Sequence, residues 1–195
     1  MESQQQIIAA GNSLPAPSPF AAPVEVELVH LFDKMKAVRA FIFDVDGVLT
    51  DNTLLVTESG EYLRTMNVLD GQALRWANDA GYPVGIITGG TSEGVKKRMA
   101  QLGVEEYYSG IKDKALAFSA FVQRTGIQPT EICYMGDDLP DLPVLRKVVL
   151  SCCPHDARPE VLALCDYISP LAGGAGCVRD LLEKIMKLQG KWPAY

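Results

Sequence analysis

Three short apolar runs in this chain each break off into a polar cluster that no hydrophobic core could hold. Ala40-Phe41-Ile42-Phe43 stops at Asp44-Val45-Asp46, the run from Pro83 to Ile87 stops at Thr88-Gly89-Gly90, and Ile132-Cys133-Tyr134-Met135 stops at Gly136-Asp137-Asp138. Uninterrupted apolar runs this short read as strands buried on both faces, the state of strands in a parallel sheet. Gln72 to Ala80, Ser92 to Leu102 and Lys112 to Thr125 read as helices, and Gly81, Gly103 and Gly126 stand where each would end. Helix, strand, helix and strand follow over residues 139–168, and a last helix runs from about Gly176 to Gln189. Strands alternating with helices predict an α/β fold, a Rossmann-like parallel sheet with helices on both faces. Ligands of such sheets sit at the carboxyl ends of the strands, so the three polar clusters are expected to converge on one edge.

The chain has 195 residues, 48% hydrophobic and 22% charged, which suits one domain with a real core. Residues 1–23 are rich in Pro, Ala, Ser and Gln and bury little, so they read as a flexible leader. Residues 24–192 form the expected domain and 193–195 a tail. Leu28, Leu31, Phe32 and Met35 keep helical spacing and predict a short amphipathic helix before the core. Residues 53–57 and 61–66 read as two strands around Glu58-Ser59-Gly60, a hairpin flap over about 51–67. The net charge of −6, without basic runs, argues against nucleic-acid binding. No apolar run approaches the roughly 18 residues of a membrane span, and nothing near Met1 resembles a signal peptide, so a cytoplasmic location is expected. Five irregularly spaced cysteines do not form a disulfide framework. Cys152-Cys153 followed by His155 could hold a metal, but adjacent cysteines rarely chelate together, and free cysteine is usually a small buried hydrophobe.

Taken alone, Asp44 and Asp46 fit an N-cap and a solvated loop residue as well as they fit a site. Gly47 and the turn at Thr50-Asp51 favour a site. A carboxylate attacks a phosphoryl group poorly because both are anionic, and a divalent cation bridging them removes the obstacle. Hard oxygen ligands select Mg²⁺. Asp44 could then take the phosphoryl group, while Asp46 protonates the leaving alcohol and later deprotonates water. Thr88 and Gly89 offer a hydroxyl and a backbone amide to phosphate oxygens, although a Thr-Gly pair is commonly only a turn. Lys114, by itself an ordinary surface lysine, could neutralise the transferring group. Asp137, Asp138 and Asp141 repel one another unless a cation lies close.

Asp44-Val45-Asp46-Gly47-Val48, Ile87-Thr88-Gly89, Lys114 and the stretch Gly136 to Asp141 resemble the four ordered motifs of haloacid dehalogenase superfamily phosphatases. The resemblance implies Asp44 as nucleophile and Asp46 as acid/base. It places Thr88, Gly89 and Lys114 on the phosphate, and Asp44, the Asp46 carbonyl and Asp137 on magnesium. Asp138 would be outside the direct ligands or reach the ion through water, and Asp141 would orient Lys114. The second aspartate, Asp46, points to phosphoester rather than halide chemistry. Only a hairpin and one helix separate Asp46 from Thr88, so a small flap stands in place of a cap domain. An open site of this kind is expected to be closed by a neighbouring subunit.

Within that superfamily the chain is similar to the 3-deoxy-D-manno-octulosonate 8-phosphate phosphatases. Gly60-Glu61, the stretch Asn67 to Gly71, Gly136 to Asp141, Gly173 to Asp180 and Gln189-Gly190-Lys191-Trp192 carry the resemblance. It implies hydrolysis of an acidic sugar phosphate through an aspartyl-phosphate, a place in lipopolysaccharide precursor synthesis, and a homotetramer with the hairpin near the next subunit's site. Leu69, Gly90 and Ala175 stand where many members carry Arg, so the sugar carboxylate needs other cations. Arg64, Lys97, Arg98 and Arg179 are candidates, and Asn67, Asp70 and Gly90 are further candidate substrate residues. A nonulosonate 9-phosphate is the rival substrate. Relatives of that activity tend to carry an acid at the position of Gly90. A non-catalytic oligomerisation or binding module is the rival of another class, and the intact Asp44 and Asp46 argue against it.

Overall fold

The computed structural model of the protein describes residues 30–194. The leader expected over residues 1–23, Leu28 of the first helix and the final residue Tyr195 lie outside the described residues. Six strands form one wholly parallel sheet: β1 (Ala40–Phe43), β4 (Val84–Ile87), β5 (Glu106–Tyr108), β6 (Ile132–Met135), β7 (Leu150–Pro154) and β8 (Tyr167–Ser169). Their order is β5-β4-β1-β6-β7-β8. The remaining strands, β2 (Leu55–Val56) and β3 (Tyr62–Leu63), make a separate antiparallel hairpin. The helices are α1 (Leu31–Ala37), α2 (Val68–Asp79), α3 (Glu93–Gln101), α4 (Lys114–Thr125), α5 (Leu142–Leu145), α6 (Pro159–Leu162) and α7 (Cys177–Leu188).

Side chains alternate across each strand and supply two cores. Phe41, Phe43, Val84, Ile86, Met135 and Cys152 face one layer, where they meet Leu74 and Ala77 of α2 and Val178, Leu181 and Ile185 of α7. Ala40, Ile42, Ile87, Tyr134 and Cys153 face the other, against Phe118 and Phe121 of α4, Val144 of α5 and Val161 of α6. The doublet Cys152-Cys153 therefore projects to opposite faces of β7, and the two thiols cannot converge on one ion. Helix α7 buries Val178, Leu181, Leu182, Ile185 and Met186, an i, i+3, i+4 stripe in which each fully buried Leu or Ile contributes about 1.5–3 kcal/mol.

Strand β1 lies between β4 and β6, and the chain runs outward from it in both directions. That is the topological switch point, where the loops after neighbouring strands part and leave a crevice. The three polar clusters of the sequence follow β1, β4 and β6, so all open into it.

Several elements differ from the sequence expectations. Helix α2 starts at Val68 rather than Gln72, because the Asn67 side chain accepts from Leu69 N and caps it. Helix α4 starts at Lys114, capped by Asp113, rather than at Lys112. The hairpin strands are shorter than expected, with β2 and β3 joined by the turn at Glu58-Ser59-Gly60. Strand β5 was not expected at all. It is a short, half-buried edge strand without alternation, paired to β4 and tied to α4 by Arg124 on Glu106.

Candidate active site

A cavity of about 260 Å³ opens at the switch point, lined by Asp44, Asp46, Asn52, Thr88, Gly89, Lys114, Asp137 and Asp141 among others. Asp44 closes β1, with its amide donating to the Met135 carbonyl of β6. Its Oδ1 accepts from Val45 N at 2.6 Å and its Oδ2 from Lys114 Nζ at 2.6 Å. Lys114 reaches the cavity because α4 begins at it, and its second bond goes to Asp141 Oδ1 at 2.6 Å. Burial works against the ammonium, but the charges of Asp44 and Asp141 more than offset it and raise the Lys114 pKa.

Asp141 is fully buried and fully occupied. Tyr134 OH donates to Oδ1 at 2.5 Å, and the amides of Asp137 and Asp138 donate to Oδ2 at 3.1 and 3.2 Å. Asp137 is the opposite case. Asn52 Nδ2 donates to its Oδ2 at 2.8 Å, while its buried Oδ1 has no protein partner. A buried carboxylate oxygen without a donor is costly unless a cation meets it. Carboxylate oxygens of Asp44, Asp137 and Asp141 lie within 4.8 Å of one another. Each Asp141 oxygen already accepts two hydrogen bonds, whereas each Asp44 oxygen accepts one and Asp137 Oδ1 none, so the free lone pairs belong to Asp44 and Asp137, and a hard divalent cation fits between them.

The same crowding shifts the acids. Burial, reinforced by the Asp141 charge, pushes Asp44 up to about 7 despite Lys114. Burial also raises Asp137 to about 6, against the hydrogen bond from Asn52. Such shifts describe a pocket with too much negative charge for its depth, which a divalent cation would correct.

Thr88 is buried at the end of β4. Its Oγ1 accepts from Gly90 N at 3.1 Å, leaving its own proton for another acceptor. The loop after β5 holds this turn in place: Ile111 N donates to the Thr88 carbonyl and Gly110 N to that of Gly90. Asp46 lines the cavity and receives a two-pronged contact from Arg64, Nε to Oδ1 at 2.6 Å and Nη2 to Oδ2 at 3.1 Å. Asp138, half exposed at the cavity rim, caps the next turn through Leu139 N.

Two glycines let the loops close up. Gly47 has φ +84°, and a Cβ on it would sit 2.1 Å from Asp137 Oδ2. A Cβ on Gly173, in the loop after β8, would sit 2.1 Å from the Gly47 carbonyl. The glycine-rich segment before α7 thus forms the floor under the Asp44 loop.

Several sequence candidates lie elsewhere. Asn67 caps α2 and donates to the Gly174 carbonyl at 3.4 Å. Asp70 is 1% exposed, its Oδ1 accepts from Arg179 N at 2.7 Å, and it sits inside the fold away from the cavity. The Arg179 guanidinium lies 5.3 Å from the ring centres of both Trp76 and Trp192 and pairs with Glu183. These three residues tie α2, α7 and the tail together and do not line the cavity. Lys97 and Arg98 belong to α3, also away from it. Conversely, Asn52 and Tyr134 join the site without having been candidates in the sequence. Asn52 has φ 64°, and its residue type alone was the signal, since Asn tolerates the left-handed region better than most residues. Tyr134 carried none, being one more aromatic in an apolar run.

The family model for haloacid dehalogenase-like hydrolases matches residues 64–148. The 3-deoxy-D-manno-octulosonate 8-phosphate phosphatase of Salmonella typhi is 40% identical over 83% of this chain and 86% of its own. That of Escherichia coli K12 is 38% identical over 87% and 88%. Among solved structures, the Yersinia pestis 3-deoxy-D-manno-octulosonate 8-phosphate phosphatase superposes with a TM-score of 0.81 at 34% identity, covering 83% of this chain and 87% of that one. The Moraxella catarrhalis enzyme, in complex with magnesium, phosphate and KDO, gives 0.80 at 32% identity over 83% and 93%. With identity of this order across most of both chains, and with the motif carboxylates gathered at one switch point, the chain belongs to the haloacid dehalogenase-like hydrolases, in the family of the 3-deoxy-D-manno-octulosonate 8-phosphate phosphatases.

Proposed function

We propose that the protein is a magnesium-dependent phosphatase that hydrolyses 3-deoxy-D-manno-octulosonate 8-phosphate. The observation that carries the chemistry is the pairing of Asp44, held by Lys114, with the partnerless Oδ1 of Asp137. The similarity to phosphatases of that substrate over more than four-fifths of the chain carries the substrate.

Asp44 and Asp137, with the backbone carbonyl of Asp46, would hold Mg²⁺, which supplies charge neutralisation between carboxylate and phosphoryl oxygens. Thr88 and Gly89 bind the phosphate, and Lys114, aimed by Asp141, balances its charge. An Asp44 oxygen attacks phosphorus and the ester P–O bond breaks. Asp46 gives its proton to the departing sugar oxygen. Water then attacks the phosphorus of the aspartyl-phosphate, Asp46 takes the proton from that water, and Asp44 is regenerated with release of phosphate.

No helix among the described residues is long and apolar enough to cross a membrane. We infer a cytoplasmic homotetramer in which the hairpin of one subunit closes a neighbour's cavity. The exposed apolar side chains of the hairpin, Leu55, Val56, Tyr62 and Leu63, support that reading.

A panel of phosphomonoesters tests the substrate. The octulosonate 8-phosphate should exceed the nonulosonate 9-phosphate and p-nitrophenyl phosphate in kcat/KM by at least about tenfold, a difference of about 1.4 kcal/mol in transition-state binding. Equal turnover of all three would remove the substrate assignment and leave only a phosphatase.

A further inference from the structure

Arg64 is anomalous for its position. It follows β3, whose Tyr62 and Leu63 are 61% and 47% exposed, yet its own side chain is only 9% exposed. The guanidinium folds inward and grips Asp46 through both oxygens. Its Nη1 donates back to the Tyr62 carbonyl at 3.4 Å, which pins the fork to the hairpin. Tyr107 of β5 lines the same small cavity beside Asp46 and Arg64. Gly90 leaves the fork its room: a Cβ there would lie 3.2 Å from both Arg64 Nη2 and Asp46 Oδ2, so one of the two would have to shift by a few tenths of an ångström. A planar fork on a carboxylate fixes its rotation as well as its place, which a single bond would not.

We propose that Arg64 is the positioning residue of Asp46, setting that carboxyl group at the cavity wall for the proton transfer to the leaving alcohol, with Gly90 as the gap that admits it. The inference rests on the acid/base reading of Asp46. It links the hairpin to the chemistry: a movement of β3 would move the acid. It also makes Arg64 matter most for esters whose leaving group needs a proton.

The test compares kcat/KM for glycerol phosphate, an alkyl ester, with that for p-nitrophenyl phosphate, whose leaving group departs without a proton. Glycerol phosphate carries no carboxylate, so any contact of Arg64 with a sugar acid stays out of the comparison. kcat/KM covers only the steps through transfer to Asp44, so the water step does not enter. Arg64→Ala should lower the alkyl-to-aryl ratio about tenfold or more, within the range of a displaced general acid. Arg64→Lys, a charge without a fork, should fall between Arg64→Ala and the native enzyme. Gly90→Ala, which presses on both partners, should lower the ratio in the same direction and carries the test should Arg64→Ala not fold. An equal loss on both esters, or an unchanged or raised ratio, would overturn the proposal. Asp46→Asn is the control. If it fails to lower the ratio, the acid/base reading itself is wrong; if it lowers the ratio and the Arg64 variants do not, only the role of Arg64 is.

Discussion

At the residue scale, the cavity is a problem of excess negative charge solved with few groups. One ammonium, Lys114, serves both Asp44 and Asp141, and one amide, Asn52, serves Asp137. Asn52 therefore orients a carboxylate whose other oxygen is free for a cation. Outer partners of this kind commonly change metal affinity by about 10–100-fold. Asn52→Ala should raise the Mg²⁺ concentration for half-maximal activity by roughly tenfold, with a smaller effect on kcat at saturating metal. A magnesium titration checks it, and an unchanged half-saturation point would show that Asn52 merely fills the loop. That Asp44, Asp46, Thr88, Lys114 and the acidic cluster share one cavity was legible in the sequence, because each stands at the end of an apolar run or the start of a helix. Asn52 and Tyr134 were not legible, because their importance comes from a partner 85 residues away in one case and from the inward face of β6 in the other.

At the scale of elements, the hairpin and the glycine-rich loop play different parts. The loop after β8 packs backbone against backbone under the Asp44 turn, so Gly173 is fixed by space rather than by chemistry. Helix α7 is locked behind it by the Asp70 carboxylate, which accepts from Arg179 N, and by Arg179 between two tryptophans, each cation–π contact being about 0.5–1 kcal/mol at a partly exposed site. The hairpin has no such support. A two-stranded sheet alone is marginal in water, and this one leaves Leu55 67% and Val56 58% exposed. Its Arg64 arm and a neighbouring subunit are what would hold it. Leu55→Asp with Tyr62→Asp should reduce the solution mass from tetramer to smaller species, read by light scattering. A native protein that is already monomeric would remove the inferred assembly.

At the scale of the whole molecule, the active-site acids couple stability to pH. Asp44 and Asp137 are raised from 3.8 to about 7 and about 6, so the metal-free fold binds their protons more tightly than the unfolded chain does. Their contribution is most favourable below about pH 4 and is lost as pH rises through about 6 to 7. A bound divalent cation favours the ionised forms and reverses that loss. Excess magnesium should therefore raise Tm more near pH 8 than near pH 5. Thermal melts with and without the metal measure this, and an equal rise at both pH values would place the cation away from these carboxylates.

The sequence by itself determined the class of fold and the chemistry: apolar runs fix buried parallel strands, and residues just past a strand end have only one edge on which to meet. It also held the resemblance that names the family. The tertiary structure decided which charged groups belong to the cavity and which to the frame. Asp70 and Arg179 look like site residues in the sequence and are consumed by packing, whereas Arg64 on an exposed hairpin turns inward to Asp46. No local pattern separates these cases, because a side chain's partner is set by which elements are brought together in three dimensions and by how much water is left between them.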